Sequence, residues 1–209
     1  MADNFTTIFT DPAPVAYLNV DEKMRNNLLA IAVIMFIEHV GYSIIWLKPV
    51  LLSDRIRGKN PVECVHAFLV SQKCMQACAV GMYYLQNKSH YILRQTFAEI
   101  VTFGVTLGLL MIAIGQLLNF SVYKAIKKEG VYYGVRFGYH IPWVTSFPYN
   151  LKWLRHPQYI GSLLTWFGLA FIALSVFEYN FHCTQFVLGI CVIQILNYGG
   201  MMYIENIAV

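Results

Sequence analysis

Five apolar segments, each about as long as a bilayer is thick, dominate the pattern of this sequence. They cover residues 28–47, 62–85, 100–122, 160–177 and 184–204. A helix needs about 20 apolar residues to cross the hydrocarbon core of a membrane, and each backbone group in lipid must find a hydrogen-bond partner. The pattern therefore predicts an all-α fold, a polytopic transmembrane helical bundle of about five membrane helices, or four with segment 160–177 as a re-entrant arm.

The composition favours a membrane protein over a soluble one. Hydrophobic residues make up 57% of the 209 residues and charged residues only 12%, whereas roughly a quarter of an ordinary soluble domain is charged. We expect residues 1–27 to form an extramembrane N-terminal segment and residues 28–209 to form one membrane domain. Residues 1–27 lack the basic-then-apolar order of a secretory leader, so the first apolar segment is expected to remain as a membrane helix.

The distribution of positive charge predicts how the bundle is oriented. The connections 48–59 and 123–157 carry ten Lys and Arg residues, whereas residues 1–27 and 86–95 carry four. The positive-inside rule therefore places the first pair of regions in the cytosol and the N-terminus on the outer or lumenal side. If all five segments cross, Arg155 and Glu205 lie on the same cytosolic face.

The connection between the third and fourth apolar segments has an unusual composition. It is rich in glycine, aromatic residues and proline, and long connections of this kind are usually functional or disordered. Pro157 suits the first position of a helix, and the free amides of that first turn favour an anion. Arg155 and His156 lie just before this helix start, where they can meet a carboxylate or a phosphate.

These residues also carry a family resemblance. The motif reads Gly130-Val-Tyr-Tyr-Gly134-Val-Arg136-Phe-Gly138, then Ile141-Pro-Trp143-Val-Thr-Ser-Phe147-Pro148-Tyr-Asn150, then Arg155-His156-Pro157-Gln158-Tyr159-Ile160-Gly161-Ser162. Over roughly residues 115–205 it resembles the phospholipid methyltransferases, most closely the plant and fungal phosphatidyl-N-methylethanolamine N-methyltransferases. The shorter His-Pro-x-Tyr-x-Gly element also occurs in isoprenylcysteine carboxyl methyltransferases and, more loosely, in membrane sterol reductases.

The resemblance implies an S-adenosyl-L-methionine-dependent phospholipid N-methyltransferase. Its expected reactions convert phosphatidyl-N-methylethanolamine and phosphatidyl-N,N-dimethylethanolamine to phosphatidylcholine. The expected location is the endoplasmic reticulum membrane, with a mitochondrial membrane as the alternative, and the catalytic half would be residues 113–205. No CxxC or Cys/His cluster in the sequence indicates a metal site, and nothing in it indicates a nucleic-acid partner.

The resemblance also suggests which residues form the site. Animal relatives bind the methyl donor with a Gly-x-Gly in a membrane helix and with a Glu-Glu pair after the last helix. Here these elements fall on Ala113-Ile114-Gly115 and Ile204-Glu205, so one glycine and one acid are replaced. The candidates are Ala113, Ile114, Gly115, Ile204 and Glu205 for cofactor binding; His156 and Tyr159 for catalysis; and Arg136, Trp143 and Arg155 for substrate binding.

Each assignment has a structural alternative. Gly115 is also expected in ordinary small-residue helix packing, and Glu205 and His156 are also typical of an interface between membrane and water. The two arginines could clamp the lipid phosphate or only anchor the cytosolic face. Aromatic residues, with Tyr132, Tyr133, Trp143 and Tyr159 as the candidates, could enclose a methylated ammonium or belong to the usual interfacial belt.

Charged residues inside the apolar segments raise a separate question. Charges in lipid are costly and tend to mark function. Glu38, His39 and Lys73 lie deepest, and we favour structural pairing among them over substrate contact. Two other functions stay open: an isoprenylcysteine-type carboxyl methyltransferase, and a non-catalytic membrane protein such as a scaffold or small transporter.

Overall fold

The structure, a computed structural model, describes residues 14–53, 56, 58–87, 103–142, 144–176 and 181–207. Within these residues every regular element is helical, which confirms the predicted all-α class. The elements are α1 (Pro14–Leu47), α2 (Pro49–Ser53), α3 (Pro61–Asn87), α4 (Phe103–Val131), a 3-10 helix (Gly134–Phe137), α5 (Pro157–Val176) and α6 (Phe181–Ile207). Each of the five predicted apolar segments falls largely on one of the long helices.

Among the residues that the structure describes, four helices are both long enough and apolar enough to cross a membrane. Their spans are Arg25–Leu47, Phe103–Phe137, Pro157–Val176 and Thr184–Ile207, so the chain is a multi-pass membrane protein. The remaining long helix, α3, has 27 residues and is long enough by length alone, but its central turns are polar. They carry Gln72, Lys73 and Gln76, and both glutamines are buried inside the bundle. Segment 62–85 is therefore a bundle helix with a polar inner face.

Contacts between helices fix the direction of each one. In α1, Met35 accepts a hydrogen bond from Asn197 of α6 at 3.4 Å, and Ser43 donates one to the sulfur of Met201 at 3.2 Å. Since both residue numbers rise together, α1 and α6 are parallel. Glu63 at the start of α3 pairs with Lys128 near the end of α4, with 2.5 Å between Nζ and Oε2. The ends of α1, α4 and α6 and the starts of α3 and α5 thus share one end of the bundle, called the Glu205 end below.

Helices α4 and α5 pack backbone to backbone through glycines. A Cβ atom added to Gly115 would lie 2.5 Å from the carbonyl oxygen of Gly161, and one added to Gly161 would lie 2.7 Å from that of Gly115. Gly108 and Gly168 repeat this reciprocal contact at 2.6 and 2.5 Å. Small residues permit such close approach between membrane helices. The antiparallel pairing runs along α5, which is one continuous helix from Pro157 to Val176. It is long and apolar enough to cross a membrane, and these residues do not turn back as a re-entrant arm would.

Two of the three deep residues, Glu38 and Lys73, pair with each other as predicted, whereas His39 contacts a backbone carbonyl oxygen of α1. The carboxylate of Glu38, whose residue is 1% exposed, lies 2.9 Å from Lys73 Nζ and accepts a hydrogen bond from Gln76 at 2.7 Å. The same ammonium group donates to the hydroxyl of Tyr198 at 3.5 Å. This cluster joins α1, α3 and α6. A buried charge must be paired and hydrogen-bonded to be tolerated, and Glu38 meets that requirement.

The core at the Glu205 end is built largely from aromatic rings. Tyr42, Tyr133, Tyr159 and Tyr198 are buried there together with Met201. Tyr42 and Tyr133 pack edge to face with their ring centroids 5.3 Å apart, a favoured arrangement for aromatic pairs. Phenolic rings bring hydroxyl groups into an otherwise apolar core, and those hydroxyls need partners. The hydroxyls of Tyr133 and Tyr159 share one partner, the carboxylate of Glu205, and this contact defines the candidate site.

Candidate active site

The first turn of α5 begins at Pro157, as the sequence predicted. The carbonyl oxygen of His156 accepts the backbone N–H of Ile160 at 3.1 Å, so His156 is the residue that caps the helix start. Tyr159 lies three residues further on, and its ring stacks on the His156 ring with centroids 5.7 Å apart and an interplanar angle of 11°. The two candidate catalytic side chains are therefore held together at the Glu205 end.

Glu205, near the end of α6, connects these residues to the aromatic loop. One carboxylate oxygen, Oε1, accepts hydrogen bonds from the hydroxyls of Tyr159 and Tyr133, the latter at 2.8 Å. The two hydroxyl oxygens lie 2.5 Å apart. The other carboxylate oxygen, Oε2, lies 3.4 Å from Nδ1 of His156. The aromatic loop, the Arg-His-Pro helix start and Glu205 thus meet at one place, as expected from the sequence.

A cavity of about 360 Å³ lies beside this cluster, within the usual size range of small-molecule sites. Its wall combines four aromatic side chains with three charged or titratable ones: Trp46, Tyr133, Tyr149, Tyr159, Arg155, His156 and Glu205. Burial, and secondarily the nearby Glu205 carboxylate, raises the pKa of Tyr149 to about 12. A phenol is neutral at physiological pH even with its ordinary pKa, and this shift keeps Tyr149 neutral in alkaline solution as well. The side chain of Glu205 is only 15% exposed.

The predicted substrate-binding residues have different locations. Arg155 lines the cavity. Arg136 does not, but its guanidinium carbon lies 4.9 Å above the ring of Trp46, which does. Trp143 lies outside the described residues. Two buried nitrogens near the cavity, Nε2 of His156 and Nε of Arg136, have no hydrogen-bond partner among the residues that the structure describes.

The predicted cofactor-binding residues other than Glu205 do not line the cavity. Ala113 and Ile114 are exposed on the surface of α4, and Gly115 packs against the backbone of α5. Ile204 lines a neighbouring groove between α1 and α6. The geometry gives Gly115 the packing role that was its structural alternative, whereas donor contact by residues 113–115 and Ile204 stays a prediction.

Two residues of the cavity were not identified from the sequence. Trp46 belongs to α1, inside an apolar segment that was interpreted only as a membrane span, although a Trp beside Lys48 is typical of a membrane interface. Tyr149 belongs to the motif that carries the resemblance, but its distance from the helix start gave no reason to single it out. Only the folded bundle brings Trp46 to Glu205, since 159 positions of sequence separate them.

The fold and site define a class, a multi-pass helical membrane protein with a carboxylate, an imidazole and phenols around a cavity at one end. Residues 103–203 match the family model described as phospholipid methyltransferase, which confirms the predicted resemblance over this region. A curated protein of Arabidopsis thaliana named phosphatidyl-N-methylethanolamine N-methyltransferase is 46% identical over 77 residues. The match covers 34% of this chain and 46% of that protein, so the chain spans less than half the length of this relative. No solved structure matches the chain.

Proposed function

We propose that the protein methylates the amine of phosphatidyl-N-methylethanolamine and phosphatidyl-N,N-dimethylethanolamine, with S-adenosyl-L-methionine as donor, to form phosphatidylcholine in the endoplasmic reticulum membrane. The observation that carries this proposal is the meeting of Glu205, His156, Tyr133 and Tyr159 around one cavity. The last three lie within the region that matches the family, and Glu205 lies two residues beyond it. The name of the Arabidopsis relative supports the choice of substrates. The cavity lies at the end of the membrane helices, where a phospholipid head group would lie.

The residues around the cavity fit a methyl donor. Glu205 Oε2 has no hydroxyl donor among the described residues, so it can accept a hydrogen bond from the hydroxyl or ammonium groups of the donor. The free amides at the start of α5 favour the carboxylate of the donor. S-adenosyl-L-methionine supplies an electrophilic methyl group. For its transfer the protein needs to align the reacting nitrogen rather than provide a nucleophile of its own.

His156 is the group that we assign to proton removal. The amine of the substrate must lose a proton before it can accept a methyl group. When Nδ1 of His156 donates to Glu205 Oε2, Nε2 carries the lone pair, and this nitrogen has no partner among the described residues. Tyr159 stacks on the imidazole and donates to Glu205, so it holds both members of the pair in place.

The remaining wall of the cavity suits the lipid head group. Arg155 can contact the phosphate, since a guanidinium matches two phosphate oxygens. Trp46 and the neutral Tyr149 present aromatic surfaces to the same cavity. Such surfaces attract a methylated ammonium by cation–π interaction. The aromatic side chains can therefore bind the methylated ammonium of the product, and no carboxylate besides Glu205 is needed.

One assay tests the proposed function. Membranes that contain the protein are supplied with methyl-labelled S-adenosyl-L-methionine and with unmethylated, monomethylated or dimethylated phosphatidylethanolamine. We expect label in phosphatidylcholine from the two methylated lipids. A parallel reaction receives a prenylated cysteine in place of the phospholipid. Label in its methyl ester would support the carboxyl methyltransferase, and the absence of label in either product would contradict an enzyme of this class.

A further inference from the structure

A lateral groove runs between the parallel helices α1 and α6. It has a volume of about 450 Å³, and its walls are mainly aliphatic and aromatic. Phe36, Val40, Ile44 and Leu196 of its lining are exposed on the outer surface of the bundle. From Phe36 to Lys48 the groove follows α1 for about 18 Å at the helical rise per residue. This length is close to half the thickness of a hydrocarbon core, about 15 Å.

Most polar side-chain groups in the groove wall bind to the protein itself, although the buried Nε2 of His39 has no partner among the described residues. Ser43 donates to the carbonyl oxygen of His39 and contacts Met201, His39 contacts the carbonyl oxygen of Met35, and Asn197 donates to the same oxygen. The groove is therefore largely apolar along its length. Lys48, the one charged residue among the described residues of its lining, lies at the Glu205 end.

Two other lateral cavities offer a comparison. A cavity of about 570 Å³ between α1, α2 and α3 has no charged residue among the described residues of its lining. Another, of about 390 Å³, contains Lys73, but that ammonium is already paired with Glu38. Lys48 forms no ion pair with any residue in the described part of the chain. Of these three cavities, the groove between α1 and α6 is thus the best match to an anionic head group attached to an apolar chain.

The groove adjoins the candidate active site. Trp46 lines the site cavity and Leu47, the next residue, lines the groove. In the same way, Glu205 lines the site cavity and Ile204, the preceding residue, lines the groove. We propose that the groove binds the phospholipid substrate, with one acyl chain between α1 and α6. The phosphate would lie between Lys48 of the groove and Arg155 of the site cavity, so that the amine reaches Glu205. This inference rests on the proposed function, and it assigns the lipid substrate a path that includes residues outside the family-matched region.

Two neighbouring glycines of α6 provide a matched test. An added Cβ at Gly199 or at Gly200 would meet no atom within 4 Å, but only Gly200 lines the groove. Gly200→Leu should raise KM for phosphatidyl-N-methylethanolamine about tenfold, roughly the effect of displacing two buried methylenes, with no change in Kd for S-adenosyl-L-methionine. Gly199→Leu should change neither. Equal effects of the two substitutions, or no effect of Gly200→Leu on KM, would overturn the proposal.

The phosphate contact has its own pair of variants. Lys48→Gln should raise KM for the phospholipid severalfold, because it removes the charge at the head of the groove, about one charge-assisted hydrogen bond. Lys59→Gln removes an exposed charge from the same connection and should leave KM unchanged. If both variants behave alike, the lysine contributes only to the general surface charge and the assignment is wrong.

A photoreactive substrate separates this inference from the proposed function. Phosphatidyl-N-methylethanolamine with a diazirine in one acyl chain should label residues 36–47 and 196–204 of the wild-type protein in membranes. Labelling spread equally over the outer face of α4, where Leu109 and Leu110 are exposed, would indicate annular lipid and refute the groove. If the lipid is methylated but the label is spread in this way, the proposed function holds and the groove proposal is wrong. If the groove is labelled but no lipid is methylated, the proposed function is wrong.

Discussion

Glu205 is the residue on which the geometry of the site depends most directly. It receives two phenolic hydrogen bonds on one oxygen and faces an imidazole with the other. Hydrogen bonds to a charged group are stronger than neutral ones, so this carboxylate orients Tyr133, Tyr159 and His156 together. The same residue is expected to contact the methyl donor. Its replacement should therefore affect binding and alignment at once.

Substitution of Glu205 should weaken donor binding far more than folding. For Glu205→Ala we expect Kd for S-adenosyl-L-methionine to rise about tenfold to a hundredfold, the effect of one lost charge-assisted hydrogen bond. Equilibrium binding on purified protein measures this change. Asn206→Ala, at the exposed neighbouring position, should leave Kd unaltered. Wild-type donor affinity in Glu205→Ala would remove the residue from the donor site.

Substitution of His156 should reduce turnover in a pH-dependent way. Loss of a general base typically lowers kcat by about 10² to 10⁴, and we expect His156→Gln to fall in this range at neutral pH. The deficit should shrink as pH rises, because more of the substrate amine is then already unprotonated. His140→Gln, an exposed histidine of the same connection, serves as the control. A deficit that does not vary with pH would assign His156 a positioning role only.

At the scale of the elements, the close contact between α4 and α5 determines where the helix start at Pro157 lies. The glycine pairs allow the two backbones to touch, and this contact fixes α5, which carries Tyr159 and follows His156. The sequence predicted the helices well, because lipid enforces helical hydrogen bonding on any long apolar segment. It also predicted the start of α5, since proline is favoured at the first position of a helix. It did not predict α2 or the 3-10 helix, whose few turns lack a periodic pattern.

A substitution of Gly115 can distinguish a role in helix packing from a role in binding the methyl donor. Gly115→Ala should lower the free energy of unfolding in detergent by about 1–3 kcal/mol, because the new Cβ would overpack the α4–α5 contact. Gly81→Ala, in α3 with no atom within 4 Å of an added Cβ, should raise it by up to about 1 kcal/mol. If Gly115→Ala weakened donor binding without loss of stability, the cofactor-binding role suggested by the resemblance would be favoured instead.

At the scale of the whole molecule, the alternation of helix directions brings distant parts of the chain to one end. Trp46 from α1, Tyr133 and His156 from the α4–α5 connection and Glu205 from α6 all line one cavity. The sequence predicted that Tyr133, His156 and Glu205 lie on the same side of the membrane. That prediction came from the number of membrane segments between them and from the distribution of positive charge. Sequence patterns could not indicate Trp46, because a pattern along one helix does not reveal which neighbour it faces. The packing of α1 parallel to α6 supplies that information.

The orientation of the bundle makes a prediction for accessibility. In a variant without native cysteines, single cysteines at Lys152 and Asn206 should react with an impermeant thiol reagent from the cytosolic side. A cysteine at Glu22, at the opposite end of α1, should react only from the other side. The expectation follows from the excess of positive charge near the Glu205 end. Reaction of positions 152 and 206 from opposite sides would contradict the arrangement.

The wall shared by α1 and α6 has a consequence for biosynthesis. During synthesis, Trp46 of α1 leaves the ribosome early. Glu205 can join it only after α6 has been inserted. Until then, the phenols and the imidazole lack the carboxylate that they contact in the complete bundle. Under the proposed function, a truncated product would therefore not retain the methyl donor, and we expect methylation to begin only when insertion is complete.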